Sequence, residues 1–322
     1  MIKGKNIYMS NLFGLARIRI IEEEIAKEYY KQEMRCPIHL SIGQEAVPVG
    51  VSKSLNFSDY IVSTHRCHAH YIAKGGSIQK LVSELYGKED GACKGIGGSM
   101  HLYDKSINHL SSIPIVAGSI PIGVGIGYAL KLKNKKNVSV VYFGDAATEE
   151  GVFFESLHFA ALKKLPVIFV CEDNKYSVYT SINARQGNRN LKKIIESLNI
   201  KFIKPLNNNV HDIEKKALQA RSYAISKGPV FIYSNTYRYL EHCGPNNDDD
   251  LKYRPKEEIN YWLKKDPISI EMQRLKKIKR FNSNEYLEFC NSVKQEIITS
   301  FVNAKKSKPF SLLKLSKLEY AK

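Results

Sequence analysis

The residues that most restrict how this chain can fold lie at its centre. There Val138-Ser139-Val140-Val141-Tyr142-Phe143 and Val167-Ile168-Phe169-Val170-Cys171 bracket a helical pattern. Both runs are apolar or β-branched almost throughout, without the alternation of a half-exposed strand, as a strand covered on both faces requires. Between them Phe154, Leu157, His158, Ala161 and Leu162 recur on one side of a helix, and Pro166 opens the second strand. Strand, helix and strand in this order make a β-α-β unit, with parallel strands and a right-handed crossover. The spacing therefore predicts an α/β fold: a parallel sheet with helices on both faces.

The flanking sequence extends this pattern. Leu12, Leu15, Ile18, Ile21, Ile25 and Tyr29 recur at helical steps and predict a helix over 10–34, stopped by Pro37. Tyr60-Ile61-Val62-Ser63-Thr64 reads as a strand that ends at His65-Arg66-Cys67-His68-Ala69-His70. Gly123-Val124-Gly125-Ile126-Gly127 lacks the G-x-G-x-x-G spacing and a strand feeding into it, so its glycines read as close helix packing and not as a phosphate loop. A helix near 211–226 and a strand over Pro229–Tyr233 form a weaker third unit. From about 255 the chain turns helical and Lys-rich, which predicts an α/β domain over 1–265 and a helical extension over 266–322 packed on it.

Composition narrows the class. No apolar run approaches the ~18–20 residues that span a bilayer. The start, Met1-Ile2-Lys3-Gly4-Lys5-Asn6, leads into no signal-like stretch. Six scattered cysteines form no C-x-x-C pair, so neither a zinc ribbon nor a disulfide framework is expected, and reduced thiols fit a cytoplasmic protein. Lys and Arg number 49 against 32 Asp and Glu, a net charge of +17. The basic residues are spread along the chain, as in a Lys-rich composition. No nucleic-acid motif accompanies them, so a nucleic-acid-binding protein is only a remote reading.

In a parallel sheet, ligands sit beyond the carboxyl ends of the strands. Asp145 follows the first central strand and Asn174 the second, one crossover apart, so the two can meet at one sheet edge. A carboxylate beside an amide oxygen suits Mg²⁺ carrying a diphosphate. Equally, Asp145 can cap the following helix and Asn174 shape a turn. His65, His68 and His70 are spaced as metal ligands can be, though a phosphate contact by His65 and Arg66 fits them better. His158 reads as a core histidine.

Gly144-Asp145-Ala146-Ala147, with Asn174 one crossover later, resembles the thiamine-diphosphate motif, which begins Gly-Asp-Gly and closes on Asn-Asn. Leu15-Ala16-Arg17-Ile18-Arg19, His39-Leu40-Ser41-Ile42-Gly43-Gln44-Glu45-Ala46, Gly97-Gly98-Ser99-Met100-His101, Lys164-Leu165-Pro166-Val167-Ile168-Phe169, and Thr236-Tyr237-Arg238-Tyr239 with His242 add further ordered patches. Together, over about residues 12 to 265, they resemble the α subunit of the decarboxylating first component of 2-oxo-acid dehydrogenases, including the pyruvate, branched-chain and acetoin enzymes. The resemblance implies a thiamin-diphosphate-binding fold over 1–265, with thiamine diphosphate and Mg²⁺ as cofactors. It implies that Asp145, Asn174 and the Tyr176 carbonyl hold the metal, that Ala146 and Ala147 amides and Arg66 face the diphosphate beside His65, and that Pro114 and Val116 lie along the aminopyrimidine. His39 would face the 2-oxo acid, and His242 would sit on a mobile loop over the diphosphate and reaction centre.

The resemblance also implies a separate β subunit in an α₂β₂ heterotetramer. The substrate would be a pyruvate-like or branched-chain 2-oxo acid, or acetoin, with the acyl or aldehyde unit passed to a lipoyl acyltransferase or another acceptor. A two-subunit decarboxylase or transferase of a biosynthetic pathway, such as that of a cell-surface sugar, is the alternative. Ala146 and Asp173 depart from the motif, Glu149 and Glu150 bring unexplained negative charge near a diphosphate, and Cys243-Gly244-Pro245-Asn246 replaces the Ser-bearing sequence of the mitochondrial pyruvate enzymes. No matching phosphorylation switch is therefore expected.

Overall fold

A computed structural model describes residues 7–34 and 36–311. The Met1–Asn6 start and residues 312–322 of the expected extension lie outside the described residues. The chain opens with α1 (Ser10–Tyr29), α2 (Ala46–Ser54), β1 (Tyr60–Thr64), α3 (His68–Ala73) and α4 (Ile78–Leu85). It continues through β2 (His109–Ile113), α5 (Ser119–Leu132), β3 (Ser139–Gly144), α6 (Gly151–Leu162) and β4 (Val167–Asp173). A small hairpin of β5 (Tyr176–Ser177) and β6 (Thr180–Ser181) leads to α7 (Ile182–Arg185), α8 (Leu191–Ser197), β7 (Lys201–Ile203), α9 (Val210–Ser226) and β8 (Val230–Asn235). Then come α10 (Lys256–Leu263), α11 (Pro267–Lys277) and α12 (Ser283–Lys306).

Six strands pair in parallel in the order β2-β1-β3-β4-β8-β7. The expected β3–α6–β4 unit is its centre, in a register that sets Gly144 beside Glu172. Side chains alternate across β3. Val140 and Tyr142 join the core shared with α1, α2 and α9, whereas Val141 and Phe143 join the core shared with α5 and α6. With both faces covered, neither set can be polar, which explains the unbroken apolar run. The α5 glycines do pack closely: a Cβ on Gly123 would lie 2.1 Å from Val141 Cγ2, and one on Gly127 2.3 Å from Val167 Cγ2. Beyond the sheet, α12 packs on α1 and α4, with the Phe13 and Phe289 rings 4.4 Å apart.

The structure corrects three readings. The first helix ends at Tyr29, not at 34, because the chain turns through Gln32 at φ 57°, well before Pro37. His158 is exposed, not a core residue: the buried stripe of α6 is Phe153, Ser156, Leu157 and Ala160, and a second apolar face with Phe159 and Leu162 looks outward. Strands β2 and β7 were not foreseen, since one is polar and the other three residues long, as edge strands can be. Among the described residues no helix is long and apolar enough to cross a membrane.

Candidate active site

The carboxyl ends of β1, β2, β3 and β4 open on one cavity of about 230 Å³, which His242 reaches from the chain beyond β8. Around it lie all the residues to which the resemblance gives a role: His39, His65, Arg66, Pro114, Val116, Asp145, Ala146, Ala147, Asn174, Tyr176 and His242. They reach it from separate loops, each the continuation of a strand or of the segment between α1 and α2.

At one end, the β3–β4 register brings the segment after Gly144 beside the segment after Glu172, so Asp145 and Asn174 sit at adjoining strand tips. Asp145 is 3% exposed, and burial, reinforced by Asp173, pushes its carboxyl up to about 6 against the pull of Arg185. Asn174 donates from Nδ2 to Gln44 Oε1 at 2.9 Å and accepts the Tyr176 N–H at 3.2 Å, which leaves its oxygen one lone pair. A carboxylate and a carboxamide oxygen are the hard donors a small divalent cation takes. Asp145 also begins a 3₁₀ turn, Asp145–Glu149, whose first amides have no acceptor within the turn. Ala146 and Ala147, which carry two of these amides, line the cavity.

Arg66 supplies positive charge. It is 6% exposed and donates to the carbonyls of Leu40 and, at 2.9 Å, His242. Among the described residues no carboxylate pairs with it, and burial followed by the Arg238 charge lowers its pKa to about 9. Glu22 and Glu172 act on it only from a distance, so a buried guanidinium hydrogen-bonded to carbonyls and a histidine lacks the paired anion that burial of a charge calls for. A phosphate meets that need, and the planar fork suits its oxygens.

The other end holds three histidines. The His39 ring lies 4.8 Å from that of His65 and 5.0 Å from that of His242, centroid to centroid. Burial first and Arg66 second lower the pKa of His39 to about 2, of His65 to about 3 and of His242 to about 4, so all three are neutral at pH 7. The backbone around His242 is braced: Gly244 N–H donates to the Ile38 carbonyl at 2.9 Å, Arg238 to the carbonyls of Leu240 and Val178, and Arg254 to that of Arg238.

The trio His65, His68 and His70 does not form. The last two lie in α3 and turn into the body of the fold, where both ring nitrogens of each are satisfied. His68 meets Glu22 at 2.7 Å and Ser99 at 2.8 Å, and His70 meets Ser63 at 2.7 Å and Glu172 at 3.0 Å.

Sequence reasoning missed Arg185, which pairs with both Asp145 and Glu149, and Gln186, which also donates to Glu149. These contacts account for Glu149; nothing in the structure accounts for Glu150, which is exposed. No motif marks Arg185, whose role comes from the hairpin that folds residues 176–181 back on themselves. Gln44 stood within a quoted motif but gave no signal of its own. Asp173, which departs from the motif, is buried and accepts from Tyr233, from Asn235 at 2.7 Å and from Lys175 N–H at 2.8 Å.

The family model described as "Dehydrogenase E1 component" matches residues 14–312. The pyruvate dehydrogenase E1 component subunit alpha of Porphyra purpurea is 32% identical over 98% of this chain and 92% of its own length. That of Rickettsia felis is 32% identical over 95% of this chain and 93% of its own. The somatic mitochondrial form of Homo sapiens is 34% identical over 84% and 69%.

Proposed function

The chain belongs to the dehydrogenase E1 component family as an α subunit, and from that premise we propose that it decarboxylates pyruvate, or a 2-oxo acid of similar size, together with a separate β subunit in an α₂β₂ assembly. The enzyme is a thiamine-diphosphate-dependent 2-oxo-acid dehydrogenase. The names of its relatives support pyruvate as the substrate. When bound, thiamine diphosphate would supply the nucleophilic and electron-accepting chemistry that decarboxylation needs, while the protein binds, orients and tunes.

Asp145 and Asn174, with the Tyr176 carbonyl, hold Mg²⁺. The Arg66 guanidinium and the amides of Ala146 and Ala147 bind diphosphate oxygens beside His65, and Pro114 and Val116 support the aminopyrimidine. Arg185 keeps Glu149 as its partner when a cation takes Asp145. His39 and His242, uncharged at neutral pH, offer the 2-oxo acid hydrogen bonds without adding a second formal charge next to Arg66. The acyl unit leaves for a lipoyl carrier or another acceptor. Ile115 and Val116, 74% and 48% exposed, line the cavity, and α5 and α6 carry exposed Ile122, Leu132, Phe159 and Leu162; these apolar side chains support a β partner that closes the site.

The observation that carries the reading is the buried Arg66, without a carboxylate partner among the described residues, in the same cavity as Asp145 and Asn174. Calorimetry on the αβ complex tests it. Asp145→Ala is expected to abolish Mg²⁺-dependent binding of thiamine diphosphate while circular dichroism stays unchanged. Unaltered affinity, or turnover of pyruvate by the purified chain without a partner, refutes the proposal.

A further inference from the structure

His39, His65 and His242 come from three loops far apart in sequence, yet one ring nitrogen from each lies within 4.8 Å of the other two. Their rings also make edge and tilted contacts, His65 to His242 at 5.4 Å between centroids. His39 is 6% exposed and its Nδ1 is buried without a hydrogen-bond partner among the described residues. Buried polar atoms are satisfied in nearly all cases, so an orphaned nitrogen on a ring packed against two more imidazoles marks the place of a missing ligand.

We infer that His39, His65 and His242 form a binding site for one d-block divalent cation of the Zn²⁺ type, with an open coordination position turned to the cavity. Three imidazoles are a common zinc donor set, and three protein ligands leave a fourth position free. Metal–nitrogen bonds of about 2.0–2.1 Å require the three nitrogens to draw somewhat closer, which rotation about two side-chain torsions allows. Burial beside Arg66 keeps the imidazoles uncharged, so at neutral pH no proton has to be displaced for an ion to bind. The same guanidinium, with its Nη2 3.5 Å from His242 Nδ1, opposes a second positive charge. The open position therefore favours an anionic fourth ligand over water. Nitrogen donors of intermediate softness distinguish this site from the oxygen-donor pair Asp145 and Asn174, which suits Mg²⁺. Binding of the ion does not depend on the proposed function. Only its consequence does, since the ion fills the end of the cavity assigned there to the 2-oxo acid.

Co²⁺ titrated into the full, untagged, metal-stripped chain in excess Mg²⁺ tests the site by visible absorption. One equivalent is expected to give the intense bands of a four- or five-coordinate nitrogen site, which Zn²⁺ abolishes and sodium azide shifts. His65→Gln and His242→Gln are expected to weaken Co²⁺ binding at least roughly tenfold, while an exposed control, His158→Gln, binds as wild type. Both site variants are compared by circular dichroism, and either one that folds suffices. Weak bands of the octahedral type at one equivalent, or wild-type Co²⁺ binding in a folded site variant, overturns the inference; bands that azide leaves unmoved overturn the open position.

Discussion

Asp145 and Arg66 are the two charges on which the cavity turns, and both are buried at some cost to the cofactor-free chain. Arg66→Lys keeps the charge but loses the fork that meets two carbonyls and, in the proposed complex, a diphosphate. Its expected effect is a loss of about 1.5–3 kcal/mol in cofactor binding, the range for a hydrogen bond to a charged group; calorimetry that finds no loss makes Arg66 a brace for the His242 loop and nothing more. His109 tests burial in a residue outside the site. It is fully buried, its Nε2 meets Ser112 Oγ at 2.8 Å, and burial first and then His70 lower its pKa to about 3. The unfolded chain takes up a proton near 6.5 that the fold refuses, so this contribution is whole above pH 6.5 and shrinks as the pH falls toward 3. At about 1.4 kcal/mol per pH unit, His109→Gln is expected to reduce the stability lost between pH 7 and pH 5 by about 2 kcal/mol, read from urea unfolding. An unchanged loss shows that His109 titrates in the fold. Asp145 and Asn174 were legible in the sequence because a fixed crossover joins them. Arg185 was not, because its approach to Asp145 depends on a hairpin that no local pattern announces.

The elements were legible in proportion to how completely they are buried. β3 and β4 have helices on both faces, so every position along them is constrained and the sequence becomes an unbroken apolar run. β2 and β7 lie at the two edges, where neither composition nor length is held to that standard. α6 misled for the opposite reason: apolar residues such as Phe159 and Leu162 stand outside its buried stripe as well as within it, so periodicity alone could not choose which face the core takes. In α5 the glycines separate by face, and this gives a paired prediction. Gly123→Ala drives a Cβ to within 2.1 Å of Val141 Cγ2 in a core that cannot yield, and is expected to destabilise the chain by about 1–3 kcal/mol. Gly125→Ala meets no atom within 4 Å and gains helix propensity, so it should be neutral or stabilising by up to ~1 kcal/mol. Thermal unfolding of the two variants in parallel decides: equal shifts reject the claim that α5 owes its closeness to the sheet to Gly123.

At the scale of the molecule, the question is why so much apolar surface lies beside a polar cavity. On α5 the exposed side includes Ile122 and Leu132, and on α6 Phe159 and Leu162, with Leu132 and Leu162 at 67% and 77% exposure. Tyr128 packs edge-on against Phe159 across the two helices, and Ile115 and Val116, also exposed, line the cavity. Single exposed leucines need no explanation, but several large apolar side chains on two packed helices do, and a partner that covers them could also close the mouth of the site against water. Leu162→Glu and Ile122→Glu place a carboxylate among them without entering the core. Each is expected to leave stability within about 0.5 kcal/mol and to weaken association with the β subunit by at least about 2 kcal/mol, as loss of an interface anchor does. Leu287→Glu on α12, at 61% exposure on an element packed against α1 and α4, is the control and should assemble as wild type. Sedimentation of each variant with the β subunit reads the outcome: if both site-side variants form the heterotetramer as readily as the control, the partner binds elsewhere and the cavity must be closed by other means.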